Sequence, residues 1–114
     1  MCITPTADRT KGGTISANQP LNIHVGRPGC LSGSCSRDII ATCTVHRTGN
    51  TLQVNSFFSV SEPVAAVCTS DCGKPIADCM SDPLPEGQYT LIMGGLIVPL
   101  TIPSSVPDRP CLFF

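Results

Sequence analysis

The sequence lacks tryptophan and is poor in aromatic residues, which make up 4% of its 114 residues. Charged residues are also scarce, at 13%. The chain, residues 1–114, is long enough for a single domain. Because large core-filling side chains are few, aliphatic residues must supply most of its buried area. A domain of this size buries only about two-thirds of its unfolded surface, so covalent cross-links would help to stabilise it.

Concentrated positive charge is also missing. The formal net charge is −1, and the seven Lys and Arg residues are scattered along the chain. Non-specific binding to nucleic acid requires Lys and Arg gathered in one region, so nucleic acid is excluded as a partner.

Long hydrophobic runs are absent as well. The most apolar stretch, residues 89–102, is interrupted by Gly94, Gly95 and Pro99. A membrane-spanning helix needs about 20 apolar residues, so no span is predicted. The first residues contain no charged segment followed by an apolar one, which a signal peptide would show. We therefore expect this chain to be the mature form of an exported protein, with Met1 added for expression.

Cysteine is the residue present in excess. The eight cysteines are an even number in a short chain with few charges. This combination indicates a disulfide framework and an oxidising, extracytoplasmic compartment, namely secreted, periplasmic or at the outer surface. Cys2 and Cys111 stand near the two ends, which often meet in a domain. We predict the bridges Cys2–Cys111, Cys30–Cys35, Cys68–Cys72 and, across the core, Cys43–Cys79.

Other uses of the cysteines compete with this framework. The residues Cys30, Cys35, Cys68 and Cys72 have spacings that a four-thiolate zinc site could use, although they lack the usual knuckle pattern. A redox site would require Cys-x-x-Cys at a helix N-terminus, and neither is found. Cys2 could carry the lipid anchor of a bacterial lipoprotein, but this would leave an odd thiol. The C-terminal "CLFF" loosely matches a prenylation motif, which belongs to the cytosol.

The hydrophobic pattern is that of strands, because apolar residues alternate and never keep helical spacing for three turns. In "YTLIMGGLIVPLTI", Gly94 and Gly95 are predicted to form a two-residue hairpin turn with positive φ at both. The resulting register places six residues on the core face, paired as Met93 with Leu96, Leu91 with Val98, and Tyr89 with Leu100. Pro99 cannot donate a ladder hydrogen bond, so its strand is at an edge or bulged.

A second hairpin is predicted in "DIIATCTVHRTGNTLQVNSFFSV", with its turn at Gly49 and Asn50. Its core face pairs Val45 with Val54, Cys43 with Ser56, Ala41 with Phe58, and Ile39 with Val60. Its polar face pairs His46 with Gln53 and Thr44 with Asn55. Further strands are predicted at residues 20–25 (Leu21, Ile23 and Val25 inward), 64–68 and 76–80. About seven strands at these spacings predict an all-β, antiparallel, disulfide-braced β-sandwich.

The segment "DPLPEGQYTLIMGGLIVPLTIPS" resembles the closing part of bacterial extracytoplasmic immunoglobulin-like sandwiches. The resemblance rests on an "LPxGxYxL" motif, carried here by Leu84, Pro85, Gly87, Tyr89 and Leu91, and covers about a fifth of the chain. It implies an immunoglobulin-like fold and no particular activity. Antibody-type domains have a core tryptophan, which this chain lacks.

No catalytic constellation emerges from the sequence. His24 and His46 fall on the polar side of their strands and are predicted to face solvent. A Cys–His pair needs a free thiol, which the framework does not leave, and "SGS" at residues 32–34 is not a nucleophile elbow. Asp71, Asp78 and Asp82 could gather around calcium, although turn-forming roles fit them better. Copper held by His24, His46, Met80 and Met93 is a further alternative.

The sequence therefore predicts a non-enzymatic, cofactor-free binding or structural module at a cell surface or in an extracellular assembly, with a protein or cell-surface partner. Two alternatives remain open. One is a small zinc- or copper-binding protein, and the other is a secreted inhibitor or effector that presents the braced loop at residues 26–37.

Overall fold

The computed structural model of the protein describes residues 1–27, 31, 34–62, 67–68 and 72–111. Within these ranges the chain forms nine β-strands and no helix, which confirms the all-β prediction. None of these residues therefore belongs to a helix that could cross a membrane. The strands are β1 (Cys2–Thr4), β2 (Gly13–Ile15), β3 (Asn22–Gly26), β4 (Arg37–Thr48), β5 (Thr51–Ser61), β6 (Ile76–Met80), β7 (Gly87–Met93), β8 (Leu96–Ile102) and β9 (Ser104–Val106).

The predicted number of about seven strands is too low. Strands β1, β2 and β9 have three residues each and are too short for alternation to reveal them. The strand predicted at residues 76–80 is present as β6, and the one at 20–25 is present as β3. The strand predicted at 64–68 lies mostly outside the described residues, and Val67 and Cys68, which are described, are not in a strand.

The strands assemble into three sheets. The first has the order β1-β3-β6, the second pairs β2 with β9, and the third has the order β4-β5-β7-β8. All neighbouring strands run antiparallel except β5 and β7, which are parallel where Leu52 lies beside Leu91. The prediction of a purely antiparallel architecture is therefore wrong at this pairing. A parallel pair requires a crossover connection, and here the chain passes through β6 of the three-stranded sheet between the two strands.

The closing hairpin, β7–β8, has the predicted register. Met93 pairs with Leu96, Leu91 with Val98 and Tyr89 with Leu100. Only Gly94 has a positive φ, 57°, so the prediction of positive φ at Gly95 is wrong. Positive φ at the first central residue alone is what a type II′ turn requires. Strand β8 is an edge strand, as Pro99 predicted.

The second hairpin, β4–β5, also follows prediction over most of its length. Val45 pairs with Val54, Cys43 with Ser56, Ala41 with Phe58, His46 with Gln53, and Thr44 with Asn55. The predicted pairing of Ile39 with Val60 is not formed, because the register shifts between Arg37 and Ile40. Asp38 has a φ of 52° within this irregularity, and Ile39 is exposed instead of inward.

The hydrophobic core lies between the three-stranded and four-stranded sheets. Leu21, Ile23 and Val25 are buried on one side, as predicted, and Leu52 and Leu91 are buried on the other. Leu96, which is predicted to face the core, is the first residue of β8 after the hairpin turn and is 44% exposed. Aliphatic side chains dominate the core cluster, in line with the low aromatic content, and its buried members are Ile15, Leu21, Ile23, Val25, Leu52, Val54, Leu84, Tyr89, Leu91 and Ile102.

Two predicted disulfides are confirmed. Cys2 is bonded to Cys111, which ties together the ends of the described chain at a sequence separation of 109 residues. The Cys2 sulfur is used in this bond, so it is not available for a lipid anchor. Cys43 is bonded to Cys79 with a Cα–Cα distance of 5.4 Å. Stacked sheets usually lie about 10 Å apart, but β4 and β6 are edge strands of their sheets, and the sheets come together at this edge.

The remaining pairing differs from the prediction. Cys35 is bonded to Cys68, so the predicted bridges Cys30–Cys35 and Cys68–Cys72 are both wrong. Cys72 is also disulfide-bonded, while Cys30 lies outside the described residues. Short spacing suggested local loops, but the fold brings Cys35, which precedes β4, next to Cys68, which follows β5. The bridge therefore fastens together the two open ends of the long β4–β5 hairpin.

Candidate functional site

The cysteines do not form a metal or redox centre in the part of the chain that the structure describes. No free cysteine is found there, and three of the four residues proposed as zinc ligands, Cys35, Cys68 and Cys72, are disulfide-bonded. The described residues contain no group of three or more His, Cys, Asp and Glu side chains placed to hold a metal ion. The four-thiolate zinc alternative is therefore wrong, and Asp71 of the calcium alternative lies outside the described residues.

His24 is the main departure from the predicted placement of polar residues. The sequence predicts that it faces solvent, but it is 1% exposed. Its Nδ1 lies 2.6 Å from Asp78 Oδ1 on β6, and its Nε2 lies 2.7 Å from Thr4 Oγ1 on β1. Strand β3 is central in its sheet and both of its faces are covered, a situation that alternation along one strand does not reveal. His46, by contrast, is exposed as predicted.

The hydrogen bonds around His24 form a connected network. The Thr4 hydroxyl donates to the Thr6 carbonyl at 2.5 Å, so it accepts from Nε2–H of His24. The Asp78 carboxylate accepts from Nδ1–H. Both ring nitrogens of His24 therefore have a side-chain partner, one on β6 and one on β1. The network joins all three strands of the sheet through their side chains.

The order of hydroxyl, imidazole and carboxylate in this network resembles that of a hydrolytic triad. Such a triad needs a nucleophile that a substrate can reach. The Thr4 side chain is completely buried, and its hydroxyl hydrogen is already bonded to a backbone carbonyl. The network is therefore structural. Because both ring nitrogens of His24 are hydrogen-bonded within this network, neither is available to bind the copper ion of the copper alternative.

A groove lies where the two ends of the described chain meet, and we call it the terminal groove. Its volume is about 880 Å³. One wall is the loop between β1 and β2, and the other is the segment after β9, close to the Cys2–Cys111 bridge. Ile76 at the start of β6 adds an apolar contact. The lining residues are Arg9, Thr10, Lys11, Ile76, Asp108, Arg109 and Cys111.

Hydrogen bonds fasten the two walls of the terminal groove to each other. The backbone N–H of Arg109 donates to the Thr10 carbonyl at 3.0 Å, and the N–H of Gly12 donates to Asp108 Oδ1 at 3.0 Å. A Cβ on Gly12 would lie 2.3 Å from the Val106 carbonyl oxygen, so only glycine allows this close approach. Arg109 has a φ of 56°, an uncommon conformation for a non-glycine residue.

Asp8 stabilises the loop that carries Arg9 and Lys11. Its Oδ1 accepts from the Thr10 hydroxyl at 2.6 Å and from the Thr10 N–H at 2.8 Å. These two hydrogen bonds, with smaller effects from the charges of Lys11 and Arg9, hold the pKa of Asp8 below its ordinary value of 3.8. Asp8 therefore stays ionised under ordinary conditions and keeps the loop folded back on itself.

The second candidate surface is the solvent-exposed side of the four-stranded sheet, which we call the outer face. Its residues alternate with the core residues along each strand. Between the hairpin tips and the Ile40–Ser59 pair none of them is Asp, Glu, Lys or Arg, whereas charged residues usually make up about a quarter to a third of a protein surface. Beyond the irregularity in β4, Arg37 lies opposite Ser61 and is the charged residue at the margin of this face. The outer face consists of Ile40, Thr42, Thr44, His46, Thr48, Thr51, Gln53, Asn55, Phe57, Ser59, Gln88, Thr90, Ile92, Ile97, Pro99 and Thr101.

Large apolar side chains protrude from this outer face. Phe57 is 59% exposed and Ile40 is 49% exposed, and the register places them diagonally across the β4–β5 hairpin. At the other edge of the sheet, Ile97 is 66% exposed opposite Ile92. Exposed apolar groups on a surface without charge are typical of interaction sites. The low charge of this face could have been found from the sequence, because the alternating pattern already placed uncharged residues on it.

The loop at residues 26–37 is predicted from the sequence to be a braced loop that an inhibitor could present. Cys35 within it is tied to Cys68, and Leu31 pairs with Gly73 through backbone hydrogen bonds of 2.7 and 2.9 Å. Residues 28–30 and 32–33 lie outside the described residues. The inhibitor hypothesis stays a prediction.

Comparison with known proteins found no matching family model, no matching curated protein and no matching solved structure. The resemblance of the closing segment to immunoglobulin-like modules therefore stays a prediction.

Proposed function

We propose that the protein is an exported, non-enzymatic binding or structural module, which acts at a cell surface or in an extracellular assembly. Its partner is a protein or another cell-surface component, and it docks on the outer face of the four-stranded sheet. The observation that carries this proposal is the absence of charge from the outer face between the hairpin tips and the Ile40–Ser59 pair, together with the exposure of Ile40, Phe57 and Ile97.

The disulfides support the export part of the proposal. They join the two ends of the described chain, the two larger sheets, and the open ends of the long hairpin. Such cross-links persist in oxidising compartments and are rare in the cytosol. The proposed location is therefore secreted, periplasmic or on the outer surface of a cell.

The binding part of the proposal follows from the shape and chemistry of the outer face. A sheet face offers a rigid platform, whose threonine, asparagine and glutamine side chains supply hydrogen bonds around the apolar groups. Protein interfaces have the same composition, with few charges and with aromatic residues at their centre. Phe57 is the exposed aromatic residue of this face and serves as its anchor.

We further propose that the two larger sheets form an immunoglobulin-like sandwich. The support comes from the "LPxGxYxL" motif, where the Tyr89 hydroxyl donates to the Pro85 carbonyl at 2.7 Å. A tyrosine that bonds to backbone a few residues upstream, at the start of a strand, resembles the tyrosine corner of immunoglobulin-like domains. Leu84 and Tyr89 are both buried beside this turn.

The proposed function is tested by binding of the purified, fluorescently labelled protein to intact cells of the source organism. The double variant I40S/F57S removes the exposed apolar groups at one end of the outer face. We expect its retention on the cells to fall at least tenfold. The matched control is L96S, which removes an exposed apolar side chain on the opposite side of the sheet and should leave retention unchanged.

Circular dichroism and thermal unfolding of all three proteins establish that the variants are folded. Equal retention of the wild type and the double variant would overturn the assignment of the outer face. Failure of the wild type to bind intact cells would count against the cell-surface role itself.

A further inference from the structure

We propose that the terminal groove is a second, independent binding site, which takes a small organic anion. The ligand carries a carboxylate, sulfate or phosphate group next to an apolar portion. This site differs from the proposed docking surface in location and in chemistry. It is built by residues from both ends of the described chain and is positively charged, whereas the outer face carries charge only at its margin, at Arg37.

The groove is lined by positively charged side chains. Three of the seven Lys and Arg residues of the chain, Arg9, Lys11 and Arg109, line it. Their side chains make no hydrogen bond or ion pair with any described residue. Guanidinium groups bind carboxylates and phosphates through paired hydrogen bonds, so two unpaired arginines on opposite walls suit an oxyanion between them.

The carboxylates near these cations are engaged in hydrogen bonds to the walls of the groove. Asp108 uses its Oδ1 to hold the Gly12 N–H, and Asp8 uses its Oδ1 to hold two groups of Thr10. Both residues therefore stabilise the walls of the groove. With Asp8 and Asp108 ionised, the three cations still leave the groove with a positive balance.

The walls of the groove are held in place before any ligand arrives. The hydrogen bond from Arg109 N–H to the Thr10 carbonyl, the tight contact at Gly12 and the Cys2–Cys111 bridge connect the walls at successive points. Binding then costs little backbone entropy, because the backbone of the three cationic residues is already ordered.

The groove also offers contacts for the apolar part of the ligand. Ile76 and the disulfide-bonded Cys111 line the groove together with the cations. A volume of about 880 Å³ is far more than an inorganic anion needs and lies within the range of small-molecule sites. An organic anion therefore fits the groove better than a free one.

The test uses isothermal titration calorimetry with three probes and the full, oxidised chain. Phenyl phosphate carries both features of the proposed ligand, inorganic phosphate carries only the charge, and benzyl alcohol carries only the apolar part. We expect phenyl phosphate to bind at least fivefold more tightly than inorganic phosphate, and benzyl alcohol to show no binding. If inorganic phosphate binds as tightly as phenyl phosphate, or if phenyl phosphate does not bind at millimolar concentrations, the proposal is wrong.

Variants distinguish a specific site from a general effect of charge. The groove variant R9Q/R109N removes one cation from each wall, and asparagine tolerates the positive φ at position 109. The control variant R37Q/R47Q removes the same amount of charge from β4. We expect the groove variant to lose at least tenfold in affinity for phenyl phosphate and the control less than twofold. Equal losses in the two variants would overturn the proposal, and thermal unfolding confirms that both are folded.

Discussion

Cys43 and Cys79 join the edge strand of the four-stranded sheet to the edge strand of the three-stranded sheet, with their Cα atoms 5.4 Å apart. The bond closes the side of the core where even the inward residues of β4 are only partly buried. Ala77, two residues before Cys79, is buried next to this contact and is small enough to permit it. The covalent link and the packing of the two sheets therefore reinforce each other at this edge.

Removal of this bridge should destabilise the fold strongly. The cysteines are separated by 36 residues, for which loop-closure entropy predicts a loss of about 4 kcal/mol in the free energy of unfolding. The variant C43A/C79A, measured by urea unfolding against the wild type, provides the test. A loss below about 1 kcal/mol would mean that the bridge contributes little beyond the packing of the sheets.

The buried network around His24 predicts different effects for two substitutions at one position. T4V removes the hydroxyl that accepts from His24 Nε2–H and leaves that group buried without a partner, so we expect a loss of about 1–3 kcal/mol in stability. T4S keeps the hydroxyl and should cost less. Urea unfolding of both variants measures the difference. If T4V were as stable as T4S, the hydrogen bond would have no structural role.

Two glycines should respond differently to substitution by alanine. At Gly12 the new Cβ would meet the backbone of Val106 and Pro107 within 2.4 Å, so G12A should lower stability by about 1–3 kcal/mol. At Gly95 no atom lies within 4 Å and φ is not positive, so G95A should change stability by less than about 0.5 kcal/mol. Thermal unfolding compares them. Equal effects of the two substitutions would contradict the close contact between the two ends of the described chain.

The Asp8 carboxyl should titrate below its ordinary pKa of 3.8, because hydrogen bonds from Thr10 favour the ionised form. Since the pKa is lowered in the folded state, the contribution of Asp8 to stability is present above pH 3.8 and is lost as the pH falls through the lowered value. An NMR titration of the Asp8 side chain measures this directly. T10V removes the first of the two hydrogen bonds and should raise the pKa towards 3.8. A wild-type midpoint at or above this ordinary value would contradict the prediction.

Local patterns were sufficient to predict the two long hairpins. The Gly49-Asn50 and Gly94-Gly95 turns determined which residues pair, and alternation determined which residues face the core. The parallel pairing of β5 with β7 could not be predicted, because it joins segments that are distant in the sequence. The short strands β1, β2 and β9 are stabilised mainly by their partners and have no alternation of their own.

The candidate sites also divide into features that local sequence patterns predict and features that depend on contacts between distant segments. The outer face follows from alternation, and its low charge is readable in the sequence. The terminal groove cannot be read from the sequence, because Arg9 and Arg109 come to line the same groove only in the folded chain. The burial of His24 depends on Thr4 and Asp78 from two neighbouring strands. The Cys35–Cys68 pairing likewise depends on the β4–β5 hairpin bringing two loops together.

A disulfide framework holds the two larger sheets together, and we propose that the resulting rigid module binds its partner outside the cytoplasm. The most direct test is a disulfide map of the natively exported protein, obtained by mass spectrometry of non-reduced peptides after blocking of free thiols. We predict the bonds Cys2–Cys111, Cys35–Cys68 and Cys43–Cys79, with no blocked thiol at any of these six residues. Blocked thiols at Cys43 and Cys79, or a bond from Cys43 to Cys68, would contradict it.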